Sequence, residues 1–357
     1  MNPTLAITGL GVLSRLGHTI ADHRAACLAP AAPFQTLGDL GENSADFATT
    51  PAAWITPRDL LNHRKWSPAS MAALHVARQA IADAQWSPAE CREAAIFFGT
   101  SRGGLSGWIT PWPQRRPLPL MRASNSLPGE PAAAIATELD IHTPWHVHAS
   151  GCVAGLDALE HASLALLSGQ YPRALVVACD LPLVDPLLDA YRDTGILASP
   201  EKPGMTPAEG AAALCLETNP TATARLVATR AALEPNALLG SAQSLPALTT
   251  LLARAAEQFG EPAGCIPHDS GTAKHHAAEP DAIRAALGPV PSFRIKPYTG
   301  HAISASGLLE TALLADWIRH PTTAPLTIQP SRPVFKITSA LGGKHQLAIL
   351  QSHTNQA

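Results

Sequence analysis

The stretch ALVVAC, Ala174 to Cys179, is apolar at every position. A strand with one wet face alternates; a strand covered on both faces reads as an unbroken apolar run. Similar runs occur at Leu5 to Thr8, at Ala94 to Gly99 and, after Glu209-Gly210, at Ala211 to Leu216, and Trp145 to Ala149 is a further strand candidate. Between them, residues 69–85 carry apolar residues at helical spacing, and Val153, Leu156, Leu159, Leu164 and Leu167 keep near one helical face until Gly169 stops the turn. Near residue 220 the pattern restarts, with a strand at Arg225 to Ala231 and a helix at Leu245 to Phe259. A turn-rich site at 265–276, a helix at 279–287, a strand at 293–296, a helix at 302–319 and a strand pair near 334–338 and 346–350 complete it. Strands alternating with helices in both portions predict an α/β layered fold. The expected division is 1–220 and 221–357, with duplication inferred from element order alone.

Composition narrows the function classes. In 357 residues, 46% hydrophobic and 15% charged content is that of a packed globular chain. A formal charge of -3 offers no basic footprint for nucleic acid. The opening MNPTLAITGLGVLSRLG lacks a basic leader region, and no uninterrupted apolar stretch is long enough to cross a bilayer. The expectation is a cytoplasmic protein without a membrane span. Six cysteines without a CxxC pair read as free thiols, with Cys179 and Cys215 in the core and no pattern around Cys27, Cys91 or Cys265. The proline-rich patch 111–131 reads as a loop. Gly9-Leu10-Gly11 invites a dinucleotide reading, but Ser14 occupies the sixth position of that motif. His146-Val147-His148 and His275-His276 lack a third ligand, so no metal site is expected.

Three stretches carry chemistry. Ser150-Gly151-Cys152-Val153-Ala154-Gly155 places a cysteine at a strand-to-helix turn, where unpaired amides and the helix dipole favour a thiolate. Gly151, Ala154 and Gly155 leave room for a substrate to reach the sulfur, and the Cys152 amide can face an oxyanion. Pro267-His268-Asp269-Ser270-Gly271-Thr272 sets a histidine before turn-forming residues. Lys296 and His301 lie in KPYTGHAISASGLLE, with Glu310 at its end; positions 301, 305 and 309 would share one helix face.

In this order the stretches resemble the signatures of the β-ketoacyl synthases, condensing enzymes of the thiolase fold. Cys152 stands at the family's cysteine turn, His268 at the histidine of HGTGT, and Lys296 and His301 at the lysine and histidine of KSxxGHxxxAxG, followed by Glu310. The opening ITGLGVLSRLG and Glu209-Gly210-Ala211 are similar to the family's start and to its GEGA turn. Departures are Asp269-Ser270 in place of Gly-Thr, His276 in place of aspartate, and a shortened segment between Leu197 and Glu209. In the closing loop both phenylalanines are gone; Leu341 takes the gating position and Gly342-Gly343 survive. The resemblance implies a five-layered αβαβα fold of two similar halves. It also implies a dimer, with itself or another ketosynthase, across the strand near 174–179. Acyl groups would arrive on the phosphopantetheine arm of an acyl carrier protein, and no metal or redox cofactor is implied. The implied activity is decarboxylative condensation, with Cys152 as nucleophile, His268 and His301 as donors to the malonyl thioester oxygen, Lys296 biasing His268, Glu310 organising the loops, and the Cys152 and Leu341 amides facing the oxyanion. Two other readings stay open: a chain-length-factor-like partner subunit, and an acyltransferase or hydrolase that does not condense.

Overall fold

The computed structural model describes residues 4–104, 124–125, 127–218, 222–234 and 244–353, without the side chains of 273–276. Most of the proline-rich patch, the 220/221 boundary and the side chains of His275 and His276 therefore lie outside the described residues.

Nine strands form the main sheet: β1 (Leu5–Leu13), β2 (Ala94–Gly99), β3 (Trp145–His148), β4 (Arg173–Asp180), β5 (Gly210–Glu217), β6 (Ala224–Leu233), β7 (Gly264–Ile266), β8 (Val334–Ser339) and β9 (Lys344–Ser352). Their order is β3-β2-β4-β5-β1-β6-β9-β8-β7. It divides naturally between β1 and β6, which share only the pairs Leu5 with Leu226 and Ala6 with Arg225. On one side β1 and β5 are antiparallel, β5 and β4 antiparallel, and β4 and β2 parallel. On the other, β6 and β9 are antiparallel, β9 and β8 antiparallel, and β8 and β7 parallel. The same pairing pattern thus occurs twice; β3 has no counterpart among the described residues.

Helices make the remaining layers. Those used below are α1 (Ile20–Cys27), α2 (Pro68–Ala84), α3 (Glu130–Glu138), α4 (Ala154–Leu167), α5 (Asp185–Asp193), α6 (Pro246–Phe259), α7 (Ala273–Leu287), α8 (Lys296–Thr299) and α9 (Ser304–Arg319). Three apolar clusters mark the layering. One joins α2 and α3 to the outer face of the first sheet portion, one joins α6 and α7 to the outer face of the second, and the largest holds α4 and α9 between the portions. Helix α9 is buried from Ser304 through Ile318. A helix apolar or small all round is the expected filling of a layer with no water on either side. Together these are the five layers of a thiolase-like fold. None of the helices among the described residues is long and apolar enough to cross a membrane.

Four local expectations change. Strand β1 does not end at Thr8 but continues through Gly9 and Gly11. Cβ atoms there would lie 2.0 Å from the carbonyl oxygens of Ala80 and Val76, so the glycines let α2 lie on the strand rather than end it. Helix α7 begins at Ala273, six residues before the expected 279, and carries Pro280 inside it. The strand expected at 293–296 is absent: Phe293 N–H reaches Cys265 O at 3.1 Å, then Pro297 starts α8 in its first turn. Strand β4, the expected dimer seam, is internal, with β2 on one side and β5 on the other. Among the described residues, the edge of that sheet portion is β3.

Candidate active site

Strand β3 hands the chain to a short 3-10 turn, Gly151–Val153, before α4. Cys152 lies in that turn, half-buried. Gly155 follows where α4 meets α9; a Cβ there would sit 2.5 Å from Ser304 O. Helix α4 can therefore approach closely enough to bring the cysteine turn against the start of α9.

A cavity of about 560 Å³ opens over this turn, lined by Cys152, His268 and His301. The two imidazoles stand edge to face, their centroids 5.2 Å apart. His301 does not share a helix face with Ala305 and Leu309 as the spacing suggested, because it precedes α9. Gly300 at φ +73° and Ile303 at φ +44° break the helix before Ser304. Gly300 is required twice over, since a Cβ would also lie 2.7 Å from that of Ala208. His301 is fixed by its main chain, N–H to Thr206 O at 2.8 Å and C=O accepting from Ala208 N–H at 3.1 Å. Its Nδ1 is 3.1 Å from Ser306 Oγ, which already accepts from Ala302 N–H at 2.8 Å. A hydroxyl proton given to Nδ1 would leave the imidazole proton on Nε2, the donor form.

His268 sits at the end of β7. Glu279 of α7 accepts from the main-chain N–H of His268 at 2.6 Å and of Asp269 at 2.8 Å. Asp269, at φ +46°, stands where a glycine would carry the turn without strain, and Arg294 grips its carboxylate with two hydrogen bonds of 2.7 and 2.8 Å. Lys296 donates to His268 O and pairs with Glu310 at 2.7 Å. The sequence therefore placed Cys152, His268, His301, Lys296 and Glu310 in one neighbourhood, with the last two behind the cavity wall rather than in it.

The closing loop is the turn between β8 and β9. Leu341 and Gly343 line the cavity, and Leu341 is 55% exposed; Gly342 at φ +90° belongs to the turn but not to the wall. Glu209 lies elsewhere: its carboxylate accepts from Ile55 N–H at 3.1 Å and pairs with Arg58, a structural role. His146 stacks on Phe97 at 4.9 Å, and His148 meets His161 at 3.1 Å, away from the cavity wall.

Burial and the surrounding charges act in opposite senses on the thiol. Burial pushes the Cys152 thiol up to about 11; the Lys296 and Arg102 charges pull it down and Asp180 pushes it up, but desolvation outweighs the rest.

Several positions at or behind the cavity carried no motif. Asp180 ends β4 buried, accepting from Ser304 N–H at 2.9 Å, Ser101 N–H at 3.1 Å and Ser101 Oγ at 2.9 Å, and so ties the Gly99 loop to the start of α9. Arg102 lines the cavity, its guanidinium 6.0 Å from the Tyr191 ring centroid. His345 lines it too, with Nδ1 2.8 Å from Ser339 Oγ. Lys336, fully buried in β8, makes a second ion pair with Glu310 at 2.7 Å. The signals available were a carboxylate closing an apolar strand, and a lysine inside VFKITS.

Comparison with known proteins gives the family. The family described as beta-ketoacyl synthase, N-terminal domain, matches residues 44–222, half of the chain. The protein belongs to the β-ketoacyl synthase family. Among curated relatives, two proteins named "Putative polyketide beta-ketoacyl synthase 1" are each 26% identical. The one from Streptomyces cyaneus aligns over 62% of this chain and 64% of its own length; the one from Streptomyces halstedii over 56% and 54%. The chain thus spans less than two thirds of either relative. Among solved structures, a chain of the ishigamide ketosynthase/chain length factor superposes with a TM-score of 0.82, at 19% identity over 99% of this chain and 100% of that one. A β-ketoacyl synthase from Burkholderia phymatum gives 0.81 at 19% identity, again over 99% and 100%. A type II polyketide synthase acyl carrier protein in complex with its ketosynthase supplies a third match, at 0.78 with 19% identity over 99% and 100%.

Proposed function

We propose that the protein is a β-ketoacyl synthase-type condensing enzyme that extends an acyl group by decarboxylative reaction with a malonyl thioester in fatty acid, polyketide or aryl polyene synthesis. The observation that carries this reading is a single cavity holding Cys152, His268 and His301, with the two imidazoles 5.2 Å apart. In this reading residues 1–220 supply the thiol and 221–357 supply both histidines.

Cys152, once deprotonated, attacks the acyl thioester carbonyl. The phosphopantetheine thiol of an acyl carrier protein leaves with a proton, and the acyl group stays on sulfur. The malonyl thioester then binds with its carbonyl oxygen toward His268 and His301. As its C–C bond to carboxylate breaks, CO2 departs and the electron pair becomes an enolate, which the imidazole donors stabilise; such donors are worth roughly 3 kcal/mol each in a dry site. The enolate carbon attacks the acyl carbonyl, the Cys152 and Leu341 amides face the oxyanion, and Cys152 leaves as thiolate. No electrons are exchanged with a redox cofactor and no step requires a metal. Carrier-borne substrates of this kind suit a cytoplasmic protein.

A second reading, a partner subunit with little activity of its own, is favoured by the Leu341 side chain in the place of the gating ring, 55% exposed. One experiment separates them. The protein is incubated with acyl carrier proteins bearing chains of several lengths, beside Cys152→Ala, and intact mass is measured. The condensing reading expects an acyl mass gain lost in the variant, then a β-ketoacyl product when malonyl carrier protein is added. Acylation without condensation would assign a simple acyl transferase, and no acylation at any length would assign the partner subunit.

A further inference from the structure

The cavity over Cys152 has an apolar wall with one interruption. Tyr191, Ile196, Met205 and Ile303 line it, and the cysteine packs against the same apolar cluster, as a bound hydrocarbon chain requires. Arg102 breaks that wall. Among the described residues the lining includes the cations Arg102 and Lys202 but no aspartate or glutamate.

The loop holds Arg102 in place from both sides. Asp180 accepts from the N–H and Oγ of Ser101 before it, and Thr100 Oγ1 accepts from Gly103 N–H at 2.8 Å after it. The guanidinium lies 6.0 Å from the Tyr191 ring centroid, and its charge bears on both the Tyr191 hydroxyl and the Cys152 thiol. Cation, phenol and nucleophile therefore share one end of the cavity. Yet the guanidinium is poorly occupied. Its hydrogen bonds among the described residues, to Ser101 Oγ and Tyr191 Oη, are both 3.4 Å long and both come from Nη1. A guanidinium has a fork of N–H donors that matches a carboxylate, at distances of about 2.7–2.9 Å. Lys202 donates to the Gly195 carbonyl at 3.1 Å; Arg102 has no acceptor so close.

We propose that Arg102 is a carboxylate-binding residue beside Cys152, selecting an acyl group that carries an acid at its far end. This rests on the cavity being the acylation site and names a substrate class for it. The malonyl thioester also has a carboxylate, but Arg102 is ill suited to that one. A cation on it loses its partner as CO2 leaves, so it would stabilise the ground state and slow the step. The carboxylate of the acyl group survives acyl transfer unchanged. The bond from acyl carbon to Cys152 sulfur forms, the bond to the carrier thiol breaks, and the anion stays on Arg102 throughout.

Two ratios test this, and in both the acidity of the thiol cancels. The first compares alkylation by iodoacetate and by iodoacetamide, which carry a carboxylate and a neutral amide. Cys152 sulfur displaces iodide from either reagent, so no acyl substrate is needed, and peptide mapping separates Cys152 from the buried cysteines. The iodoacetate-to-iodoacetamide rate ratio should fall about tenfold from wild type to Arg102→Met, as expected for one lost charge-assisted pair. Arg102→Lys should keep part of it. The side chain is exposed, so folding is not at stake. The second ratio compares carrier proteins loaded with succinyl or glutaryl groups against butanoyl or pentanoyl groups of equal carbon count. Wild type should be acylated faster from the acid-terminated chains, and Arg102→Met should abolish that preference. A wild-type preference for the neutral chains would overturn the proposal, as would ratios that Arg102→Met leaves unchanged. Unchanged acyl selectivity with a raised KM for malonyl carrier protein would overturn it too, by moving Arg102 to the second substrate. A protein that no carrier protein acylates sinks the condensing reading; the alkylation ratio then still decides whether Arg102 receives a carboxylate beside Cys152.

Discussion

Cys152 stands in a turn whose amides favour a thiolate, yet its thiol is pushed up to about 11 because desolvation outweighs the Lys296 and Arg102 charges. Local sequence gives the turn but not the degree of burial, which is set by the walls that α9 and the closing loop build around it. The sign of the pH dependence follows. Well below that value the thiolate is a minority form that grows tenfold per pH unit, so iodoacetamide alkylation of Cys152 should rise about tenfold per pH unit from pH 7 to 9. Arg102→Met removes one of the lowering charges and should slow the reaction at pH 8 by about threefold or more, because the thiolate fraction falls as the thiol holds its proton more tightly. A rate that plateaus near pH 7 would show a stable thiolate and overturn the burial account. The same contrast explains what was legible at this scale. Cys152, His268, His301, Lys296 and Glu310 sit in motifs whose spacing survives in the chain. Asp180 and Lys336 act on residues 124 and 26 positions away, at Ser304 and Glu310, and no local pattern announces such partners.

At the scale of elements, the buried strands were readable because burial on both faces leaves an unbroken apolar run, as in β2 and β4. Boundaries were less so. Gly9 and Gly11 looked like a strand end, although they are the places where a helix rests on the strand; the helix expected from 279 starts at Ala273, with Pro280 inside it. Glycine marks both turns and close approaches, and only the neighbour in space tells them apart. Gly155 is the case with functional weight. A methyl group there would meet Ser304 O at 2.5 Å, Ala178 Cβ at 3.1 Å and Leu308 Cβ at 3.2 Å. Backbone and two packed side chains have little room to give, so Gly155→Ala must push α4 away from α9. The expected cost is about 1–3 kcal/mol, read as a lower urea midpoint. Cys152 alkylation should change with it, because the cysteine turn leads directly into α4. A variant that melts and reacts like wild type would show that the two helices are not held at contact distance.

Across the whole molecule, the repeated pairing pattern places the thiol turn in one sheet portion and His268 in the other, with α9 carrying His301's anchor between them. Element order alone suggested the repeat, but it could not reveal which strand lies at an edge, because edge and centre differ by partners rather than composition. Strand β4, with the stronger apolar run, is central; β3, with the weaker one, is the edge among the described residues. An open strand edge is a template for another chain unless something blunts it. Trp145 begins β3 and is 44% exposed, and large aromatics are the residues on which interfaces concentrate their energy. If a second ketosynthase-fold subunit pairs along this edge, wild-type protein should run by light scattering at about twice the 37.3 kDa of the chain. Trp145→Asp should dissociate at concentrations at least tenfold higher than wild type, since losing one such anchor costs about 2 kcal/mol. The substitution lies on the surface, so an unchanged melting profile of the monomer separates lost pairing from lost folding. A wild-type chain that is monomeric alone but doubles in mass on adding a separate ketosynthase, and loses that gain in Trp145→Asp, would assign the edge to a heterodimer. Dimers insensitive to Trp145→Asp would place the seam on another face.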